Sequence, residues 1–188
     1  MKKEKEIKQT CTAANNRDQS RSSTNHKWIP PPPGWLKINV DSTYAVDSAT
    51  SGIISRNEDG SITLAAAHAH KCLDAISAES LAILDVCKII DELKLKKVIF
   101  ESDCLNAIAL INGVSFNIFW NASPIIEHIK KFWNCWPTWI FKYVPRSSNG
   151  AAHNLAKWAV SNSFDGVLAC DSIPIVVFCD QGYPLVNT

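Results

Sequence analysis

The sequence predicts an α/β fold in which a mixed β-sheet of five strands is flanked by helices. Three observations lead to this prediction. In residues 35–68, apolar and polar residues alternate in three segments, as they do in half-buried strands. Two further apolar runs, "KVIF" and "TWIFKYV", each lie between segments with apolar residues at helical spacing. The order β-β-β-α-β-α-α-β-α therefore joins three antiparallel strands to parallel crossover strands, with helices packed on the sheet faces.

The first three strands are predicted to be antiparallel neighbours. The segment "WLKINVDST" predicts a strand that ends near Asp41. The segment "SGIISRNEDGSITLAAAHAH" predicts a hairpin of strands 52–56 and 61–68, joined by the turn "NEDG".

Four helices are predicted after the hairpin. The first, "SAESLAILDVCKIIDEL", begins with Ser77 as its N-cap and carries one apolar stripe. The second, "DCLNAIALI", follows the strand "KVIF". The third, "ASPIIEHIKKFW", has Ser123 as its cap and Pro124 at its first position. The last helix, "SSNGAAHNLAKWAV", follows the strand "TWIFKYV".

The composition divides the chain into three parts. Residues 1–34 combine a polar leader, expected to be disordered, with a polyproline linker, "WIPPPPGW". Residues 35–162 hold the predicted strands and helices. Residues 163–188 are a C-terminal extension that we expect to be irregular, with the apolar run "IPIVVF" as a candidate extra edge element.

Charge and cysteine content narrow the class of protein. Residues 1–34 carry seven Lys or Arg against three Asp or Glu, a net charge of +4, and residues 35–188 carry twelve against fifteen, a net charge of −3. The folded part is therefore not a basic nucleic-acid clamp, whereas the leader either attracts phosphate weakly or serves only solubility. Seven cysteines without a CxxC pair, a secretory signal or a membrane-spanning run predict a soluble intracellular protein with reduced thiols, in the nucleus or the cytoplasm.

Three carboxylates are candidates for one site. Asp41 ends the first predicted strand, Glu79 lies at the start of the first helix, and Asp103 follows the fourth strand. Crossover strands deliver their carboxyl ends to a shared crevice, where three converging carboxylates would suit Mg²⁺. The spacing alone leaves two alternatives open, because Glu79 fits a capping box after Ser77 and Asp103 fits a helix cap.

Five segments occur in an order that is typical of one family: "WLKINVDST", "SGIISRNEDGSI", "AESLAIL", "VIFESD" and "KYVPRSSNGAAHNLAKWA". Together they resemble the plant ribonuclease H-like domain, a reverse-transcriptase-like relative of type 1 ribonuclease H that is often found in retroelement-derived genes. The resemblance covers about residues 35–162. It implies the ribonuclease H fold, a site for two Mg²⁺ ions, and hydrolysis of the RNA strand of RNA–DNA hybrids by a metal-activated water.

The resemblance also assigns roles to individual carboxylates. Asp41 in "NVDS" would bridge both ions, while Glu79 in "AES" and Asp103 in "ESD" would complete the site of the ion that faces the leaving group. Glu101 matches no catalytic residue of the family, and we expect it to be structural or exposed to solvent.

His153 is the main departure from the family pattern. It stands on the last helix where the family has a fourth acidic ligand, and this implies that His153 takes the place of a catalytic metal ligand. A neutral imidazole supplies less negative charge than a carboxylate and suits borderline metals better than Mg²⁺. We therefore expect weakened cleavage, with Mn²⁺ as an alternative cofactor, or an outright loss of activity.

Two further differences from the family lie beside the predicted metal site. Ser42 follows Asp41 where the family usually has Gly. The loop "VPRSSN" replaces the flexible His loop of bacterial relatives, and we expect Arg146 and Asn149 to contact nucleic acid there. The alternative for Arg146 is a role in solubility alone.

Three functions remain open at this stage. The first is a monomeric, metal-dependent endonuclease acting on RNA–DNA hybrids, without membrane contact. The second is a catalytically inactive nucleic-acid-binding module derived from a retroelement ribonuclease H. The third is a protein-interaction domain without a nucleic-acid role.

Overall fold

One mixed sheet of six strands runs through the computed structural model, which describes residues 27–115 and 119–181. The strands are β1 (Leu36–Ala45), β2 (Ser48–Arg56), β3 (Ile62–His70), β4 (Val98–Ser102), β5 (Ile140–Tyr143) and β6 (Gly166–Leu168). Their spatial order is β5-β4-β1-β2-β3-β6. Strand β4 is parallel to both β1 and β5, and the remaining pairs are antiparallel. The predicted α/β architecture is confirmed, with six strands instead of five. The predicted leader, residues 1–27, lies outside the described residues except for its last residue.

The sixth strand lies in the segment that was expected to be irregular. Strand β6 pairs with residues Ala65, Ala66 and Ala67 of β3. The run "IPIVVF" does not form an edge strand, and most of it lies in a 3-10 segment, Ile175–Gln181. Within this run Pro174 lacks the N–H that a strand would need, and its carbonyl instead accepts a turn hydrogen bond from Val177 at 3.0 Å.

Within the described residues, four α-helices cover the two faces of the sheet: α1 (Ala75–Glu92), α2 (Leu105–Ile111), α3 (Ser123–Cys135) and α4 (Gly150–Asn162). Helices α1 to α3 pack on one face around buried Phe100 and Trp139. Helix α4 packs on the other face, where Leu155 meets Ile54 and Val177. In the part of the chain that the structure describes, no helix combines the length and the apolar character needed to cross a membrane.

The starts of two helices differ from the prediction. Helix α1 begins three residues before its predicted start, because Asp74 is its N-cap and accepts a hydrogen bond from the Ser77 amide at 2.7 Å. Ser77 is therefore inside the helix. In α3 the N-cap is Ala122, and Ser123 is the first helical residue, with Pro124 after it.

The alternation of side chains along β1 separates the core from the site. Ile38 and Val40 point to the face covered by α1 to α3 and are fully buried there. Asn39 and Asp41 point to the opposite face, where both form hydrogen bonds with residues on or just before α4. Strand β1 continues to Ala45, so the predicted strand end at Asp41 is wrong. Instead, the pairing with β4 ends at Val40, and Asp41 is the first residue beyond it.

The segment predicted as a linker packs against the sheet. The guanidinium of Arg56, a fully buried residue, stacks on the Trp28 ring at 4.6 Å from its centroid. Lys37 donates a hydrogen bond to the carbonyl of Ile29 at 2.7 Å. The folded body therefore extends to Trp28 at its N-terminal side.

Candidate active site

Asp41 and Asp103 meet at a single cation, the guanidinium of Arg146. Its Nη1 atom lies 3.0 Å from Oδ1 of Asp41 and 2.7 Å from Oδ2 of Asp103. Asp41 lies at the end of the β1–β4 pairing, Asp103 follows β4, and Arg146 opens a short 3-10 turn before α4. The structure therefore brings together the two aspartates predicted from the sequence.

Glu79, on α1, is near enough to Asp41 and Asp103 for their charges to raise its pKa. Its Oε2 atom is buried and has no hydrogen-bond partner. Because α1 starts at Ala75, Glu79 lies in the second turn, and the capping-box alternative for it is wrong. The cap alternative for Asp103 is also wrong, because Cys104 is the N-cap of α2 and the Asp103 carboxylate bonds elsewhere.

The three carboxylates repel one another electrostatically. Burial, followed by the charge of Asp103, raises the pKa of Asp41 to about 7, although the nearby Arg146 lowers it. Burial and the charges of Asp41 and Asp103 raise the pKa of Glu79 to about 8. Burial also raises the pKa of Asp103, but hydrogen bonds from Arg146 and Asn149 outweigh it, and the net shift is downward. A further positive charge would therefore stabilise this site.

His153 lies against Asp41 from the first turns of α4. Its Nδ1 atom is 2.8 Å from Oδ2 of Asp41, and its Nε2 atom is 3.0 Å from Nη2 of Arg146. Nη2 of Arg146 also contacts Nδ1, and a neutral ring with its proton on Nδ1 donates to Asp41 and leaves Nε2 as the acceptor for Arg146. Burial, the charge of Arg146 and the charge of Lys157 lower the pKa of His153, which favours this neutral form.

Asn149 is buried and contacts protein groups. It donates hydrogen bonds to the carbonyl of Val40 and to Oδ1 of Asp103, both at 2.9 Å, and accepts one from Asn39 at 3.2 Å. Its side chain is shielded from solvent, so it does not offer the surface contact with nucleic acid that we expected. These contacts instead orient Asp103 and join α4 to β1.

A buried polar network behind Asn149 was missed by sequence reasoning. Asn39 donates to Glu101 at 3.2 Å, and Glu101 forms an ion pair with Lys37 at 3.0 Å. Glu101 is therefore structural, as one of the two expectations held. The signal was present in the sequence, since Lys37, Asn39 and Asp41 are polar residues at every second position of a strand that is otherwise apolar.

Gly52 was also missed, and it sets the distance between α4 and the sheet. It pairs directly with Asp41 across the β1–β2 ladder. A Cβ atom there would lie 2.3 Å from the carbonyl oxygen of Ala152 and 2.6 Å from the amide nitrogen of Ala156. Only glycine therefore permits α4 to approach closely enough for His153 to reach Asp41.

The donor types suit a hard divalent cation, but in this arrangement Arg146 takes the cation's place. Carboxylate oxygens are the ligands that Mg²⁺ prefers, and the buried Glu79 Oε2 lacks a partner. Among the described residues, no three His, Cys, Asp or Glu side chains are arranged to hold a metal ion as they stand. Asp41 and Asp103 therefore offer oxygen ligands of the type that the implied ions prefer, and in this arrangement Arg146 bonds them.

Comparison with known proteins identifies the family. Residues 39–159 match the reverse transcriptase-like family, and the chain belongs to it. No curated protein sequence matches the chain.

Solved structures agree on the fold. The chain is similar to a ribonuclease H1 from the archaeon Halobacterium salinarum, with 16% identity, a TM-score of 0.63, and coverage of 68% of this chain and 98% of that one. It is similar to the N-terminal ribonuclease H domain of a Mycobacterium tuberculosis protein, with 15% identity, a TM-score of 0.61, and coverage of 68% and 94%. It is also similar to LC11 ribonuclease H1 in complex with an RNA/DNA hybrid, with 17% identity, a TM-score of 0.62, and coverage of 68% and 98%. The predicted ribonuclease H fold is thereby confirmed.

Proposed function

We propose that the protein is a metal-dependent endonuclease that hydrolyses the RNA strand of RNA–DNA hybrids, and that residues 35–162 form its catalytic domain. The observation that carries the proposal is the meeting of Asp41 and Asp103 at one guanidinium, with Glu79 on α1 near enough for their charges to raise its pKa. Bringing carboxylates together costs free energy, and a fold retains such a cluster when a cation compensates it. The family and the fold support the same function, since one similar structure holds an RNA/DNA hybrid.

Each residue of the site would have a distinct task. Asp41, Glu79 and Asp103 would hold two Mg²⁺ ions, which when bound would supply an activated water and stabilise the leaving oxygen. Asn149 would keep Asp103 oriented through its 2.9 Å hydrogen bond. Arg146 would contact a substrate phosphate from the entrance of the site, where its side chain is 53% exposed.

His153 would weaken the reaction. The imidazole occupies one oxygen of Asp41 and adds no negative charge to the site. Divalent ions would therefore bind less tightly than at four carboxylates, and Mn²⁺, which accepts imidazole more readily than Mg²⁺ does, would support more activity.

A second candidate function rests on the same contacts. With Asp41 hydrogen-bonded to both His153 and Arg146, both of its carboxylate oxygens already have partners within the protein. A chain that keeps this state would bind hybrid without cutting it. The fold would then serve as an inactive nucleic-acid-binding module.

Cleavage of an end-labelled RNA–DNA hybrid distinguishes the two functions. The endonuclease should cut the RNA strand with Mg²⁺ and faster with Mn²⁺, and Asp41→Asn should abolish cutting. Salt-dependent hybrid binding without cutting under both metals would establish the binding module instead. Neither binding nor cutting would leave only a protein-interaction role.

Replacing His153 by Asp tests the reason for the weakening. His153→Asp restores a fourth carboxylate, and Mg²⁺-dependent cutting should rise above that of the natural sequence. No gain with Mg²⁺ would show that this position is not the limiting defect.

A further inference from the structure

Arg146 bonds carboxylate oxygens that a divalent ion would need as ligands. Its Nη1 atom bonds one oxygen of Asp41 and one of Asp103, at 3.0 and 2.7 Å. The second oxygen of Asp41 faces His153, and the second oxygen of Asp103 faces Asn149. All four oxygens of the two aspartates therefore have a partner within the protein.

The guanidinium and the carboxylates differ sharply in exposure. The Arg146 side chain is 53% exposed, whereas those of Asp41 and Asp103 are 0% and 10% exposed. Arg146 also sits on a three-residue 3-10 turn, Arg146–Ser148, and not inside a long helix. The carboxylates are thus fixed by the fold, and Arg146 is the partner that can leave.

We propose that Arg146 is an internal counter-ion that competes with divalent metal for Asp41 and Asp103. This inference rests on the metal site of the proposed function. Without metal the guanidinium offsets part of the charge of the two aspartates, and metal entry requires its side chain to swing out toward solvent. Arg146 therefore lowers the affinity for metal while it stabilises the two carboxylates.

Two consequences follow from the shared oxygens. Guanidinium and metal cannot both bond the same oxygens, so their binding is mutually exclusive, and each must weaken the other by the same factor. Removing the guanidinium should therefore strengthen metal binding. The same change should destabilise the metal-free protein, since it leaves Asp41 and Asp103 without their nearest positive charge.

The direct test is a titration with Mn²⁺ at neutral pH and low salt. The concentration of free Mn²⁺ is measured at each step from its electron paramagnetic resonance signal. The variants are Arg146→Gln, which removes the charge, and Arg146→Lys, whose single ammonium cannot bond Asp41, Asp103 and His153 in the same fork geometry. The matched control is Lys157→Gln, because Lys157 is an exposed cation one turn beyond His153 that influences it through charge alone.

Arg146→Gln should bind Mn²⁺ about tenfold more tightly than the natural sequence, which corresponds to about 1.4 kcal/mol. Arg146→Lys should fall between the two, and Lys157→Gln should change the affinity less than twofold. Without metal, Arg146→Gln should melt below Lys157→Gln, and saturating Mn²⁺ should close that gap. If the Gln variant fails to fold, the Lys variant carries the same test.

The outcomes separate this inference from the proposed function. Mn²⁺ binding that is equal or weaker in both Arg146 variants would overturn the competition and leave the nuclease proposal standing. Absence of Mn²⁺ binding in every variant would overturn the metal site itself, and the competition with it.

Discussion

An alanine at position 52 would place its Cβ 2.3 Å from the carbonyl oxygen of Ala152 and 2.6 Å from the amide nitrogen of Ala156. Both neighbours are backbone atoms, so no side-chain rotation can relieve the contact. Helix α4 would have to move away from β2 by most of an ångström. His153, one residue after Ala152, would move with it, away from Asp41.

The cost follows from the size of this displacement. Overpacking a well-filled core typically costs about 1–3 kcal/mol, and a clash with two backbone atoms belongs at the upper end. We expect Gly52→Ala to reduce the free energy of unfolding by about 3 kcal/mol, measured by urea denaturation. The same shift would move Asn149, whose hydrogen bond orients Asp103, and a misplacement of about 1 Å can lower catalysis about 100-fold, so hybrid cleavage should fall by a similar factor.

Gly113→Ala is the matched control. Gly113 has φ +69°, and no heavy atom lies within 4 Å of the position its Cβ would take. Alanine there should cost only about 1 kcal/mol of backbone strain and leave cleavage unchanged. Equal unfolding free energies for the two variants, with full cleavage by Gly52→Ala, would refute the argument that Gly52 sets the position of α4.

Two further substitutions test the parts of the fold that support the site. Glu101→Gln removes the charge that compensates buried Lys37 at 3.0 Å. It should lower the free energy of unfolding by roughly 3 kcal/mol, measured by urea denaturation. An unchanged midpoint would show that the ion pair adds nothing to stability. Trp28→Ala uncovers Arg56, whose guanidinium lies 4.6 Å from the ring centroid, and it should cost about 1–2 kcal/mol. A chain that starts at residue 35 should lose a similar amount, and full stability in that shortened chain would contradict a structural role for the polyproline segment.

Much of the fold follows from local patterns in the sequence. The alternation in β1 and β3 and the stripe of α1 each reflect one buried face, and such patterns are preserved when the elements pack. The meeting of Asp41 and Asp103 agrees with the expectation that crossover strands deliver their carboxyl ends to one edge of a mixed sheet. The assignment of Glu79 to the same site came from the family resemblance, because the spacing alone left a capping role open for it.

Other features depend on tertiary contacts that local patterns do not encode. Strand β6 has three residues, too few for a period to be recognised, and it exists because β3 presents a free edge. Asp74 replaced Ser77 as the helix cap, since several neighbouring polar residues can fill that role. The contact of Arg146 with Asp41 joins residues 105 positions apart, and only the folded chain shows that a cation from a turn bonds the site.

The most direct test of the metal site is a crystal soaked in Mn²⁺ and examined by anomalous diffraction. The account predicts ion density bonded to the carboxylates of Asp41 and Asp103, with Glu79 close by and the Arg146 side chain turned out to solvent. Saturating Mn²⁺ with no ion beside Asp41, and with Arg146 still bonded to both aspartates, would contradict it.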